Sequence, residues 1–181
     1  MKPTCRIRRT QRLVILSALS TGLFLSGMAL PNNAHGADQA NGLTLDPPTG
    51  WNRSQEGPNI VYRTDECSLS VLAPRDLSGD RPVPFFQQTW NSVKGALRVL
   101  REQPPGPVHT QDGSVGRYAS AVVDSGVDER VIAVFMASDT RNAHFMVFTG
   151  PVPPCDERMA EVEKSIKTVT LSPHGSTPER L

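Results

Sequence analysis

Cys67, Cys155, His109, His144, His174 and a scatter of acids are the side chains of this chain whose types are suited to chemistry. The cysteines decide most. Cys67 opens the stretch CSLSVLAP, in which Cys67, Leu69, Val71 and Ala73 alternate with polar or outward positions, so the thiol shares the apolar face of a strand. Cys155 heads a helical stripe made with Met159, Val162 and Ile166 and also faces inward. Three readings are open to two such cysteines: a disulfide staple, two free buried thiols, or a reactive or metal-bound site. In an oxidising compartment two inward thiols pair, and the staple is the reading adopted. It would close a loop of about 90 residues, which chain entropy values at about 4–5 kcal/mol. A zinc site needs four closely spaced ligands, and the chain has neither Cys-x-x-Cys nor His-x-x-x-His. A helix start at Cys155 would favour a thiolate, yet no base is placed beside it by sequence.

The other reactive types make weaker patterns. Ser114 lies in Gly-Ser-Val-Gly, but a nucleophile elbow needs glycine at 112, where Asp112 stands, so QDGSVGR reads as a turn. No two histidines share a strong ligand spacing. They read as surface or hairpin residues, with a fold-assembled site joining one of them to Asp139 or Asp112 as the minor alternative. Asp124, Asp128 and Glu129 crowd around SGVD without the alternation of a calcium loop, and a solvated turn explains them better than a cation. Asn52-Arg53-Ser54 matches a glycosylation acceptor, which has meaning only on a eukaryotic secretory route. No catalytic residue, cofactor or metal ligand is assigned.

The chain begins with a basic head (Lys2, Arg6, Arg8, Arg9, Arg12), continues with the apolar run LVILSALSTGLFLSGMAL, and leaves it through small and polar residues. That order is a secretory signal peptide, expected to span 1–37, with cleavage after Gly36 or Ala37. A retained anchor is the weaker reading because no basic stop-transfer cluster follows. Cys5 precedes the apolar run and is not a lipidation site. The expected product is periplasmic or secreted, with no stable membrane anchor. Arginine outnumbers lysine and alanine and proline are common, a bias that points to a GC-rich bacterial genome. The chain carries 19 basic and 18 acidic residues; removing the five basic ones of the leader leaves a mildly acidic surface with no Lys/Arg run. Nucleic acid is therefore not the expected partner.

The elements that must position these residues fall in 38–171, enough for one domain with a core, followed by a polar tail at 172–181 expected to be disordered. LTL, NIVYRT and CSLSVLAP read as short strands, the last two joined at Asp65-Glu66. Residues 74–84 read as a proline- and glycine-rich loop. Phe86, Trp90, Val93, Leu97 and Leu100 recur at helical spacing, predicting one helix from Pro84 to the break at Pro104-Pro105-Gly106. Residues 108–112 suggest a short strand, and three longer strands follow at 116–124, 129–137 and 143–150, apolar on both faces. A helix is predicted at 155–167 and a closing strand at 168–171. The fold class is α+β: one twisted, mainly antiparallel sheet packed by two main helices.

An opening strand running into PPTGW (its Pro-x-Gly-Trp is Pro48 to Trp51), a hairpin, one long helix (FFQQTWNSVKGALRVL), antiparallel strands and a last helix leading to TVTL together resemble the PsbP-like superfamily. That superfamily includes extrinsic photosystem subunits, a Ran-binding protein and exported bacterial proteins such as the DcrB and LpqN groups. The resemblance covers 43–171 as architecture. It implies a non-catalytic binding or accessory role, with another protein as partner. The chain departs from the lipoprotein members in lacking a cysteine after its apolar run, and nothing in it matches a photosystem metal site. Trp90 is expected in the core. Trp51 follows a turn and is the candidate for a binding surface, together with loop 74–84 and the hairpin tips. The alternatives are a small-ligand carrier and a small metal-dependent hydrolase. Intact mass of protein exported by its own leader should start near residue 38 and lie two hydrogens below the reduced value; a full-length or fully reduced mass contradicts this reading.

Overall fold

The computed structural model describes residues 37–95 and 97–171; the leader and the polar tail lie outside the described residues. Short strands β1 (Asp38–Ala40) and β2 (Leu43–Leu45) form a hairpin, and β3 (Asn52–Glu56), β4 (Asn59–Arg63) and β5 (Ser68–Val71) form a meander. The two-residue β6 (Arg75–Asp76) precedes helix α1 (Pro82–Lys94). Four strands follow, β7 (Arg98–His109), β8 (Val115–Asp124), β9 (Glu129–Ser138) and β10 (Asn142–Pro151), then α2 (Met159–Lys167) and β11 (Thr170–Leu171).

The main sheet has the order β3-β4-β5-β10-β9-β8-β7, with β6 also pairing β10, and all its pairings are antiparallel. A second small sheet, β1-β2-β11, adds to the single sheet expected from the sequence; it joins the first strands to the last. Alternation along β9 explains the layers. Val131, Ala133, Phe135 and Ala137 face one core with Leu69, Val71, Met146, Phe148, the α2 residues Val162 and Ile166, and Leu43 and Leu45 of the small sheet. Val134 and Met136 face the other, with Phe145, Ala119, Ala121 and the α1 residues Phe86 and Trp90. Both faces are covered, as strands apolar on both sides require.

The first helix is shorter than its sequence pattern. It ends at Gly95, whose N–H donates to the Asn91 carbonyl, and the chain reverses into β7. Leu97 and Leu100 are therefore not on the helix, and Leu100 is exposed. The reversal brings Glu102 back to the helix, where Trp90 Nε1 and Lys94 Nζ each donate to its Oε1 at 2.8 Å. Pairing of the whole of 98–109 with β8 outweighs the helical spacing of two leucines and absorbs the short strand expected at 108–112. Likewise α2 starts at Met159, not Cys155: residues 152–158 are turns following Pro153 and Pro154, and Glu161 is the acid of the first helical turn, leaving Asp156 and Glu157 outside it. Loop 74–84 contains the strand β6.

Cys67 and Cys155 are bonded, 88 residues apart in sequence, and both are buried. The bridge fastens the turn before α2 to the start of β5 across Gly150 of β10. A Cβ at Gly150 would overlap Cys155 Sγ and lie 3.0 Å from the Glu66 carbonyl, so only glycine lets the bridge pack against the strand. Replacing both cysteines by serine should lower unfolding free energy by about 4–5 kcal/mol, read as a lower urea midpoint. Gly150→Ala should lower it too and leave a fraction of free thiol; a Gly150→Ala protein that oxidises fully with an unchanged midpoint contradicts this packing.

Candidate binding groove

The edge strand β7 and the helix α2 leave a groove between them. β7 carries Pro104, Pro105 and Pro107, which offer no N–H, and its register against β8 shifts between Val99 and Arg101 and again between Gln103 and Gly106. Proline and irregular pairing belong at a sheet edge, and β7 ends the strand order. Opposite it, α2 buries Val162, Ser165 and Ile166 and turns Glu163 and Lys167, one helical turn apart, toward the strand. The cavity between them measures about 160 Å³ and is lined by residues of β7 and β8 (Gly106, Val108, Tyr118) and of α2 (Glu163, Ile166, Lys167), with Gln103 at its rim.

Tyr118 is the polar centre of this groove. Its hydroxyl donates to Glu163 Oε1 at 3.4 Å. Burial, with the Glu163 charge adding to it and a Ser120 hydrogen bond opposing it, pushes the phenol up to about 12. At neutral pH the groove therefore offers an un-ionised phenol, a half-buried carboxylate and an ammonium over an apolar floor of Val108 and Ile166. That set can bind and orient; it does not contain a nucleophile with a base beside it.

The residues singled out by sequence are distributed elsewhere. Cys67 and Cys155 meet, as a disulfide. Trp51 is a correction: it is 9% exposed, its ring lies 6.1 Å from that of Phe148, and its Nε1 donates to Glu161 Oε2, so the Pro-x-Gly-Trp turn feeds the core and not an open surface. Trp90 is fully buried, as expected. Asp112 caps its own turn, accepting from Thr110 and Ser114, hydrogen bonds that hold its carboxyl down at about 2. Asp124 and Asp128 do the same around Ser125 and Gly126, and pair with Arg98 and Arg130. His109 is exposed and His174 lies outside the described residues. His144 is no surface histidine; it is buried beside Asp139. Among the described residues no three His, Cys, Asp or Glu side chains converge as metal ligands. The groove residues Gln103, Tyr118, Glu163 and Lys167 were missed. The signal for them was the Pro-Pro-Gly-Pro run, which marks a broken edge strand as well as it marks a helix end.

With that geometry in place, the comparisons bear on the architecture. The structure is similar to the solution structure of cyanobacterial PsbP from Synechocystis sp. PCC 6803, at a TM-score of 0.56 and 14% identity over 85% of this chain and 99% of that one. The fold is PsbP-like. A point mutant of the protein Mog1 aligns with a TM-score of 0.47 at 12% identity, covering 72% of this chain and 90% of that chain. A protein of Bacteroides thetaiotaomicron aligns with a TM-score of 0.41 at 11% identity, covering 75% and 47%. No protein-family profile matches the sequence, and no curated protein matches it. At these identities the PsbP likeness shows the fold alone. No helix among the described residues is long and apolar enough to cross a membrane.

Tyr62 is held up in the same way as Tyr118, by burial and by its hydrogen bond to Asp38. Both tyrosines of the chain should thus stay un-ionised through pH 10, the ordinary tyrosine value, while the fold persists. Their folded-state values are raised. Their contribution to stability is complete below about pH 10 and falls as pH rises toward about 12. An ultraviolet phenolate titration together with urea midpoints at alkaline pH measures this, and Tyr118→Phe should flatten part of the slope.

Proposed function

We propose that the chain is an exported accessory protein of the bacterial cell envelope that works by contact with another protein at the β7–α2 groove, without catalysis of its own. The observation that carries this reading is the size of the groove. A drug-sized ligand or cofactor occupies roughly 300–1,000 Å³, whereas the cavity here, about 160 Å³, takes a single side chain. It lies beside a strand edge that has no further strand on it among the described residues. A side-chain socket next to a free sheet edge fits a polypeptide that lies along β7 and inserts one residue. The same size argues against this groove as the site of a carried small ligand. The basic-apolar-small N-terminus and the buried disulfide support export into an oxidising compartment. The PsbP-like fold is compatible with an accessory role.

Photoreactive amino acids placed at Gln103 and Lys167, with Asn91 on the outer face of α1 as the control, test this reading in the organism that makes the protein. The groove positions should give one discrete protein adduct and Asn91 none. Tyr118→Ala should abolish the adduct while the disulfide still forms. Equal labelling from Asn91, or an adduct insensitive to Tyr118→Ala, would remove the groove as the contact site.

A further inference from the structure

His144 stands apart from the groove and from every other function described above. It lies on β10, only 4% exposed, under the turn that joins β1 to β2. Gly42 of that turn sits over the ring: a Cβ there would come within 2.8 Å of Cε1 and 3.2 Å of Nδ1. The two ring nitrogens face two acceptors. Nδ1 is 3.0 Å from the backbone carbonyl of Asn41, and Nε2 is 3.3 Å from Oδ2 of Asp139. A carbonyl only accepts, so Nδ1 must carry a hydrogen to bond it. A neutral ring protonated at Nδ1 then turns the lone pair of Nε2 against the carboxylate. The other carboxylate oxygen, Oδ1, already accepts the N–H groups of Arg141 and Asn142 at 2.7 Å each, which favours the anion over the acid. Hydrogen-bond accounting therefore asks for one more proton than a neutral histidine brings.

We infer that the folded chain holds this proton as a buried imidazolium–carboxylate pair of His144 and Asp139, and that its loss unlatches the β1–β2 hairpin from the main sheet. The latch is local. Asn41, at φ 51°, also donates through Nδ2 to the carbonyls of Pro58 and Val71, so the hairpin tip is held by three bonds, and the one to His144 is linked to the proton. The charged group facing the ring is Asp139. Among the described residues, the turn above it supplies Asn41 and Gly42, its β9 neighbour is Ala137, and Arg141 contributes its backbone N–H from an exposed position. Arg75 and Asp76 of β6 pair with Ala143 and Asn142, and Arg75 lies over Phe85 on the α1 side of the sheet. Because the closed hairpin binds the proton and the open one releases it, closure is strongest in acid. It weakens as pH rises and the pair gives up its proton.

The test uses the intact, oxidised protein. Long-range proton–nitrogen NMR of the histidine rings should show both nitrogens of His144 protonated at mildly acidic pH. Hydrogen-exchange protection at Ala40 and Leu43, corrected for intrinsic rate, should fall by up to about tenfold per pH unit where the pair gives up its proton, as expected for release of one proton. In Asp139→Asn the amide can donate to Nε2, so the ring needs only one proton; its spectrum should be that of a neutral tautomer and the hairpin protection should no longer change with pH. A neutral His144 in the acidic wild type, or an unchanged pH dependence in Asp139→Asn, would overturn the inference.

Discussion

Everything in this structure depends on two strands that have no polar face. β9 and β10 run side by side near the middle of the sheet, and their side chains are buried both ways: Phe135, Met146 and Phe148 to one side, Val134, Met136 and Phe145 to the other. Such strands persist in water only under cover on both faces. The α1 face is covered by the segment that immediately precedes β7. The opposite face is covered by pieces from the two ends of the chain, the small sheet β1-β2-β11 and the helix α2. Joining distant ends costs closure entropy, which grows with the length of the loop. The Cys67–Cys155 bridge removes much of that cost from folding by holding the ends together in the unfolded chain.

The groove arises from the same arrangement. α2 is short, is anchored before its first turn by the bridge, and lies over the end of the sheet where β7 is bent by prolines. The space between helix and strands, lined by Gln103, Tyr118, Ile166 and Lys167 among others, has room for one side chain. A PsbP-like framework supplies the layers. On the proposed reading, recognition rests on the residues that line this groove, and a fold shared at low identity does not transmit such chemistry.

Much of the framework was legible from residue types alone. The inward phase of Cys67, the two-faced apolar strands and the SGVD hairpin each rest on local periodicity or turn chemistry, and each stands in the structure; Cys155 is buried too, but from the turn before α2 and not from the helical stripe that placed it. The failures lie where long-range pairing overrides a local pattern. Leu97 and Leu100 continue the spacing of Phe86 and Trp90, yet Gly95 ends the helix and β8 captures residues 98–109 as a strand. Trp51 looked like a turn-borne surface residue, and it is Glu161, 110 positions away, that gives its indole nitrogen a partner. The pairing of His144 with Asp139 is close in sequence, but its burial depends on a hairpin about 100 residues upstream. The groove was not legible because its halves come from separate elements, and its one local signal, the Pro-Pro-Gly-Pro run, marks a helix end as well as a broken edge strand.

The bridge holds the second cover in place, while the first cover is held by its own packing. Hydrogen exchange compared between the oxidised protein and a reduced, thiol-blocked sample measures that division at each amide. Reduction should deprotect Val162 and Ile166 of α2 and the strands β2 and β11, and leave α1 and the centres of β8 and β9 protected. Uniform loss of protection across both faces, or none at α2, would contradict it.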